Sequence, residues 1–281
     1  MILAGKGKAP YLLDLHWESG DMRGAIAFLA GLLLLMAPAS RSADLAAHVA
    51  QYKLTLQSTK GDIAAGSGTM TFEMIDACDG WAVRQHMAMV LTNHDGQDVH
   101  SVSDYATYES KDGLSMRFRS HDVTDGEPND DVEGVATLSA KGGPGQVVYS
   151  KPESASKALP AGTLFPTTHT ARIVDEAQQG KKFLSLPVFD GTSAAGGQSS
   201  SVVMSGWTKS PVETKFAPLA SLPSGKVHIA FFDGDSDGSQ PDYEATMRYF
   251  ANGVADDMSM DFGDFVMLGK IETLTVAKPG C

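Results

Sequence analysis

The sequence is poor in cysteine and lacks the short motifs that mark the best-known catalytic centres. Cys78 and Cys281 are its only cysteines, so it has no C-x-x-C redox motif. The G-x-S-x-G elbow of α/β-hydrolases, the H-E-x-x-H helix of metalloproteases and a Gly-rich phosphate loop that leads into a helix are also absent. These absences exclude the hydrolase, zinc-protease and nucleotide-binding classes that are recognised by those motifs.

Positive charge is scarce as well. The chain has 22 Lys and Arg against 34 Asp and Glu, a formal net charge of −12 at pH 7. Proteins that bind nucleic acid normally present a basic surface, and anionic lipid attracts basic segments. The composition therefore argues against nucleic acid as a partner and against docking on an anionic membrane through a charged face.

No apolar run is long enough to cross a membrane as a helix. The longest covers about a dozen residues, 25–36, whereas a transmembrane helix needs about 20. Arg23 precedes this run and Ala37-Pro38-Ala39 follows it, which is the pattern of a cleavable signal peptide over residues 22–39. A retained anchor or a buried helix is the alternative interpretation.

The segment upstream of this run does not fit a signal peptide. Residues 1–21 carry acidic side chains, whereas a signal peptide begins with a short basic region. We therefore expect translation to start at Met22 and residues 1–21 to be an upstream extension of the gene model. The mature product is then expected to be an exported single domain over residues 40–281, and not an integral membrane protein.

Cys78 and Cys281 both lie in this mature chain. Thiols tend to pair in an oxidising compartment, and two cysteines allow one intramolecular pairing. That pairing would close a loop of about 200 residues and would stabilise the fold by at most about 5 kcal/mol. Two free thiols or an intermolecular bridge are the alternatives.

Alternation of apolar and polar residues dominates the mature chain, and this pattern is typical of half-buried β-strands. Asp-Gly pairs between the segments indicate hairpins. The alternation predicts one domain of roughly a dozen or more antiparallel strands, in a meandering sheet that curls on itself. The predicted strands fall within residues 52–59, 68–75, 81–93, 104–110, 114–122, 132–139, 146–150, 183–191, 200–207, 226–233, 243–253 and 262–277.

One helix is predicted near residues 167–180. Apolar residues recur there at helical spacing, Thr167 follows Pro166 as a candidate cap, and Gly180 ends the pattern. His169 at the helix start is the histidine best placed for acid–base chemistry, and Asp190 could act as a base. A histidine bonded to the helix start and an Asp-Gly turn explain the same residues without catalysis.

The segment "FFDGDSDGSQPDYEA", residues 231–245, matches the spacing of a calcium-binding EF-hand loop. Asp233, Asp235, Asp237 and Glu244 occupy positions 1, 3, 5 and 12 of that loop. The flanking segments alternate like strands, whereas an EF-hand requires helices on both sides. The segment is therefore a candidate calcium loop, and an acidic hairpin tip is the alternative.

Several phrases of the mature chain occur in an order that resembles one protein family, and the resemblance covers about residues 44–281. The phrases are "ACDGW" (77–81), "YES" with "DG" (108–113), "LPAGTLFPTTHT" (159–170), "VFDG" (188–191), "PDYE" (241–244), "NGV" (252–254) and the terminal Cys281. Together they resemble the EipB family of envelope integrity proteins, which reside in the periplasm of Gram-negative bacteria. The resemblance implies a β-spiral or broken open barrel of many antiparallel strands. It also implies a disulfide between Cys78 and Cys281.

The family fold is similar to that of periplasmic lipoprotein carriers, which hold acyl chains in a cupped sheet. The 13 methionines of this chain would suit an adaptable apolar surface. Our hypothesis is therefore a non-enzymatic periplasmic factor, without a cofactor, that maintains the envelope. It would bind a partner protein or an amphipathic, lipid- or lipoprotein-like ligand on its curved sheet. The alternatives are an envelope-polymer hydrolase that uses His169 and a carboxylate, and a calcium-dependent envelope protein.

Overall fold

The structure is a computed structural model that describes residues 44–233 and 240–278. The expected signal peptide, two residues of the candidate calcium loop (Asp235 and Asp237) and Cys281 lie outside the described residues. The described part contains fourteen strands and one helix. The strands are His48–Thr59 (β1), Ile63–Asp76 (β2), Gly80–Asn93 (β3), Asp98–Ser110 (β4), Ser115–Thr124 (β5), Glu127–Leu138 (β6), Gly145–Lys151 (β7), Ala155–Leu159 (β8), Phe183–Val188 (β9), Gln198–Thr208 (β10), Ser224–Asp233 (β11), Tyr243–Phe250 (β12), Ala255–Asp261 (β13) and Phe265–Val276 (β14), and the helix is Pro166–Gln178 (α1).

All fourteen strands in the described residues belong to one antiparallel sheet. Their order is β8-β7-β6-β5-β4-β3-β2-β1-β14-β13-β12-β11-β10-β9. Each strand thus pairs with its neighbours in sequence, and the two meanders β1–β8 and β9–β14 join where β1 pairs with β14. This arrangement confirms the prediction of a mainly-β fold of many antiparallel strands with one helix. No helix in the described residues is long and apolar enough to span a membrane.

The sheet curls on itself. Its two edge strands, β8 and β9, are consecutive in the sequence, and the segments next to them are in contact. Fourteen strands give thirteen gaps of about 4.8 Å, so a flat sheet would separate β8 from β9 by roughly 60 Å. Instead Leu164, just after β8, donates its N–H to Pro187 O in β9 at 3.0 Å, and Phe189 N–H donates to Leu164 O at 3.0 Å. Phe189 also packs edge-to-face on Phe118 of β5, with ring centroids 5.2 Å apart. The free edge of the second meander, at β9, therefore closes onto the first meander.

Each strand has an inner and an outer face. In β1 the side chains of His48, Ala50, Tyr52 and Leu54 are buried, and the residues between them are exposed. This alternation follows from the period of two of an extended chain, in which successive side chains point to opposite faces. The helix α1 packs its apolar side, including Ile173 and Val174, into the same core as β1 and β10–β12.

The helix starts against a buried carboxylate from β4. Pro166 is its first residue and Phe165 its N-cap, which makes no side-chain capping bond. The carboxylate of Glu109, 1% exposed, accepts the N–H groups of Thr167 at 2.8 Å and of Thr168 at 3.0 Å, together with the Thr168 hydroxyl. The prediction that Thr167 caps the helix was therefore wrong, because a side chain 58 residues away in sequence satisfies these amides.

Candidate functional site

The curled sheet encloses a cavity of about 640 Å³ that is partly open to solvent. Its wall is formed by the inner faces of β1–β5 and β9–β13, by the start of α1 and by the loop after β9. Ligand-binding cavities typically measure roughly 300–1,000 Å³, so this one has the size of a small-molecule site. It is also the concave apolar surface that the binding hypothesis predicts.

Methionine and aromatic side chains dominate the cavity wall. The register aligns Tyr52 of β1 with Met70 of β2, and Met70 with Met87 of β3, so that neighbouring strands present one continuous apolar surface. Methionine is unbranched and polarizable, and it adapts to irregular apolar shapes. The methionines in the wall are Met70, Met74, Met87, Met247, Met258 and Met260.

Buried tyrosines add polar atoms to the wall without adding charge. The hydroxyl of Tyr52 donates to Ala255 O at 2.8 Å, and the hydroxyl of Tyr105 donates to Asp190 O at 2.6 Å. Burial raises the pKa values of both hydroxyls, and those of Tyr243 and Tyr249 in the same wall, above the usual value. These side chains therefore remain neutral at every physiological pH.

The charged side chains in the described cavity wall are all acidic. They are Asp122, Asp190, Asp233 and Asp242, and no Lys or Arg is found among the described residues that line the cavity. Asp190 lies in the turn after β9, where its Oδ1 accepts the Thr192 N–H at 3.0 Å and the Thr192 hydroxyl at 2.8 Å. Burial raises the pKa of Asp190, and the two bonds from Thr192 partly oppose that effect.

His169 points into the core and is hydrogen-bonded as a donor. Its Nε2 lies 2.9 Å from Ser200 Oγ, and that hydroxyl donates its single hydrogen to Leu186 O at 3.0 Å. Nε2 must therefore carry the hydrogen of the first bond, whereas a general base would accept a hydrogen from the serine. Burial also lowers the pKa of His169 to about 4. The geometry presents a structural histidine and not an activated Ser–His pair.

The first and last residues of the candidate calcium loop lie on opposite faces of the sheet. Asp233 lines the cavity, whereas Glu244 lies between the cavity-lining Tyr243 and Ala245 and points outward. The Glu244 carboxylate is 2.9 Å from His228 Nε2. Among the described residues no group of three or more His, Cys, Asp or Glu side chains is arranged to hold a metal ion. Because two of its ligands lie outside the described residues, the calcium loop stays a prediction.

Tyr105 and Asp122 were not among the predicted site residues, although the sequence carries a signal for both. The inner positions of β4 and β5 include Ser103, Tyr105, Ser120 and Asp122, and the inner face of β4 also carries the buried Thr107 and Glu109, so polar residues occupy register positions that are apolar in β1. In a half-buried sheet a polar residue in the apolar register marks a bonded core group or a site. The alternation located the strands, but it did not separate these two roles.

Comparisons with known proteins agree with this architecture. A family model described as EipB-like matches residues 39–278. The chain is 28% identical over 264 residues to the cell envelope integrity protein EipB of Brucella abortus (strain 2308). This match covers 92% of this chain and 93% of that protein. It is also similar to the crystal structure of a β-barrel-like protein of a domain of unknown function from Brucella abortus. That similarity has a TM-score of 0.76 and 28% identity, over 84% of this chain and 100% of the other.

Proposed function

The chain belongs to the EipB-like family, and from that premise we propose that it supports the integrity of the bacterial cell envelope by holding the apolar part of an amphipathic ligand. The Brucella relative is named for a role in cell envelope integrity. The ligand in our proposal is lipid-like or lipoprotein-like, it lies inside the curled sheet, and no bond is made or broken.

The observation that carries the proposal is the cavity of about 640 Å³ with its methionine-rich wall. The apolar wall is accessible to solvent, and removing apolar surface from water is favourable. An alkyl chain in the cavity would cover that surface, and each buried CH₂ contributes about 0.8 kcal/mol to binding. The methionines would adapt to chains of different length and shape.

The hydrogen bonds of His169 favour this binding role over the hydrolase alternative. The imidazole donates to Ser200, and Ser200 is fully buried with its hydroxyl directed at Leu186 O. A nucleophile needs a free path to substrate and a base that accepts its proton. Neither condition is met at Ser200.

The proposal includes export to the periplasm through the signal peptide over residues 22–39, followed by formation of a Cys78–Cys281 disulfide. The register supports the pairing. Val276 at the end of β14 pairs with His48, and His48 pairs with Met74 near the end of β2, which places the two strand ends about 10 Å apart. Cys281 follows Val276 by five residues, a reach of up to about 17 Å, and Cys78 lies in the turn directly after β2.

A cavity-filling variant tests the ligand role. Ala245 is 6% exposed and lines the cavity, so Ala245→Phe should occupy space that a ligand needs. We expect the neutral apolar fluorophore N-phenyl-naphthylamine to bind the wild-type protein and to bind Ala245→Phe at least about tenfold more weakly, because losing two buried CH₂ equivalents suffices for that change. Fluorescence titration measures both affinities.

The matched control is Ala106→Phe, since Ala106 is an exposed alanine of β4 outside the cavity wall. It should leave both the affinity and the fold, monitored by circular dichroism, unchanged. In a strain that lacks the protein, Ala106→Phe should restore detergent resistance and Ala245→Phe should not. A wild-type protein that binds no apolar probe, or a folded Ala245→Phe protein that loses binding yet restores resistance fully, would contradict the proposal.

A further inference from the structure

The cavity has an electrostatic character that limits which amphiphiles it can accept, and this inference rests on the proposed function. Four aspartates line the wall, and lysine and arginine are absent from its described residues. The two histidines of the wall are His48 and His169, and burial lowers the pKa values of both, so they add no positive charge at neutral pH. The net charge of −12 adds a negative background potential.

Asp190 and Asp122 lack a basic partner. Among the described residues no Lys, Arg or His lies within ion-pair distance of either carboxylate, whereas Asp131 on β6 is paired with Lys151 at 2.9 Å. A carboxylate in a partly buried wall is costly unless it gains an opposite charge or protonates. Burial raises the pKa of Asp190, so a cation beside it would favour its charged form.

Aromatic rings in the same wall favour a cation. Tyr52, Tyr105, Tyr243 and Tyr249 line the cavity together with Phe72, Phe231 and Phe262. The negative π-face of a tyrosine or phenylalanine attracts an ammonium group, and aromatic walls combined with carboxylates are a common way to recognise quaternary ammonium ligands. The same rings accept the apolar chain of the ligand.

We infer that the cavity selects lipid-like amphiphiles whose head group carries a positively charged nitrogen, and that it rejects those with an anionic head group. The apolar chain lies among the methionines of β2, β3, β12 and β13. The head group lies where β4, β5 and the turn after β9 bring Asp122 and Asp190 to the wall.

An amphipathic peptide fits the wall less well. The strands that carry most of the lining are hydrogen-bonded on both sides within the sheet. Their backbone groups are therefore not available to a peptide, whose own N–H and C=O groups would be left without partners in the cavity. A single-chain amphiphile brings no such groups.

The experiment compares three ligands that share a dodecyl chain and differ in head-group charge. They are dodecyltrimethylammonium, dodecanesulfonate and dodecyl maltoside, each titrated calorimetrically into the purified full-length protein below its micelle concentration. We expect the ammonium ligand to bind at least about tenfold more tightly than the sulfonate, because the aspartates and aromatic faces of the wall attract a cation, whereas the aspartates repel an anion.

Two variants with the same change in charge locate the effect. Asp190→Asn keeps an oxygen for the bonds from Thr192 and removes the charge in the wall, so it should weaken ammonium binding about tenfold and leave maltoside binding unchanged. Asp104→Asn is the control, since Asp104 is an exposed neighbour of Tyr105 on the outer face of β4. It should leave all three affinities unchanged.

The outcomes separate this inference from the proposed function. If the sulfonate binds as tightly as the ammonium ligand, or if Asp190→Asn and Asp104→Asn behave alike, the head-group selection is refuted, and the cavity remains a ligand site as long as Ala245→Phe abolishes binding. If none of the three ligands binds, or if all bind independently of Ala245→Phe, the proposed function fails with it. Binding of a basic amphipathic peptide more tightly than the ammonium ligand would overturn the choice of a lipid-like ligand.

Discussion

Burial sets the charge state of His169. Its ring lies against Phe231, with centroids 6.4 Å apart, and its polar contact is the Ser200 hydroxyl. Such a site cannot hydrate an imidazolium, so the neutral form is favoured and the pKa falls to about 4. The imidazole therefore contributes one hydrogen bond to the packing of α1 against β10.

This low pKa predicts an acid sensitivity that one substitution removes. In the unfolded chain the pKa of the histidine is about 6.5, so protonation favours unfolding. The stabilisation is complete above about pH 6.5 and is lost as the pH falls toward 4, with about 2 kcal/mol lost by pH 5. His169→Gln keeps a hydrogen-bond donor for Ser200. Between pH 7 and pH 5 its free energy of unfolding should fall by about 2 kcal/mol less than that of the wild-type protein.

Urea unfolding of both proteins at the two pH values measures the difference. His48 also has a lowered pKa, but it is present in both proteins and cancels in the comparison. Equal losses of unfolding free energy in the wild-type protein and in His169→Gln would contradict the assignment of a neutral, buried His169.

At the scale of elements, α1 depends on a carboxylate from the sheet. Glu109 accepts two main-chain N–H groups of the first turn, at Thr167 and Thr168, and thereby joins the helix to β4. The positive end of the helix dipole further stabilises a carboxylate at that position. Burial opposes ionisation and raises the pKa of Glu109, while the bonds from the helix start lower it.

Truncation of this carboxylate should destabilise the whole fold. Glu109→Ala leaves buried amides without an acceptor, and we expect the free energy of unfolding to fall by about 3 kcal/mol. Glu73→Ala is the control, because Glu73 makes an exposed ion pair with Arg84 and should cost less than about 1 kcal/mol. Denaturation in urea measures both, and equal effects would mean that Glu109 does not hold the helix.

The sequence predicted most of these elements because their signals are local. Alternation located twelve of the fourteen strands in the described residues, and the helix lies within two residues of its predicted bounds. The alternation did not indicate β8, which has five residues. It also did not indicate β13, where two aspartates precede Met258 and Met260 and leave the apolar alternation too short to recognise. No local sequence pattern indicated the hydrogen bonds from the helix start to Glu109, because the bonded residues are far apart in sequence.

At the scale of the whole molecule, the cavity is a product of closure. Its wall combines β1–β5 with β9–β13, which lie on either side of the β1–β14 pairing. Period-two patterns tell which residues face inward along one strand, but they carry no information on which distant strands face each other. The alternation therefore predicted that the sheet curls, but not which strands line the cavity.

The proposed Cys78–Cys281 disulfide belongs to this scale, because it would join the first meander to the end of the second. Reduction should lower the free energy of unfolding by at most about 5 kcal/mol, and a Cys78→Ser/Cys281→Ser double variant should match the reduced wild-type protein. Thiol titration of the exported protein in denaturant without reductant should detect no free thiol. Two reactive thiols per chain would contradict the pairing.

The seam between β1 and β14 also has a consequence for biogenesis. The first strand to be synthesised needs the last one as its neighbour, since β1 pairs with both β2 and β14. Until β14 has been synthesised, the newly made β1–β8 ribbon carries an unpaired edge at β1, which is the kind of edge that favours association with other chains. The edge of β1 must therefore stay free of other chains until β14 is available to pair with it.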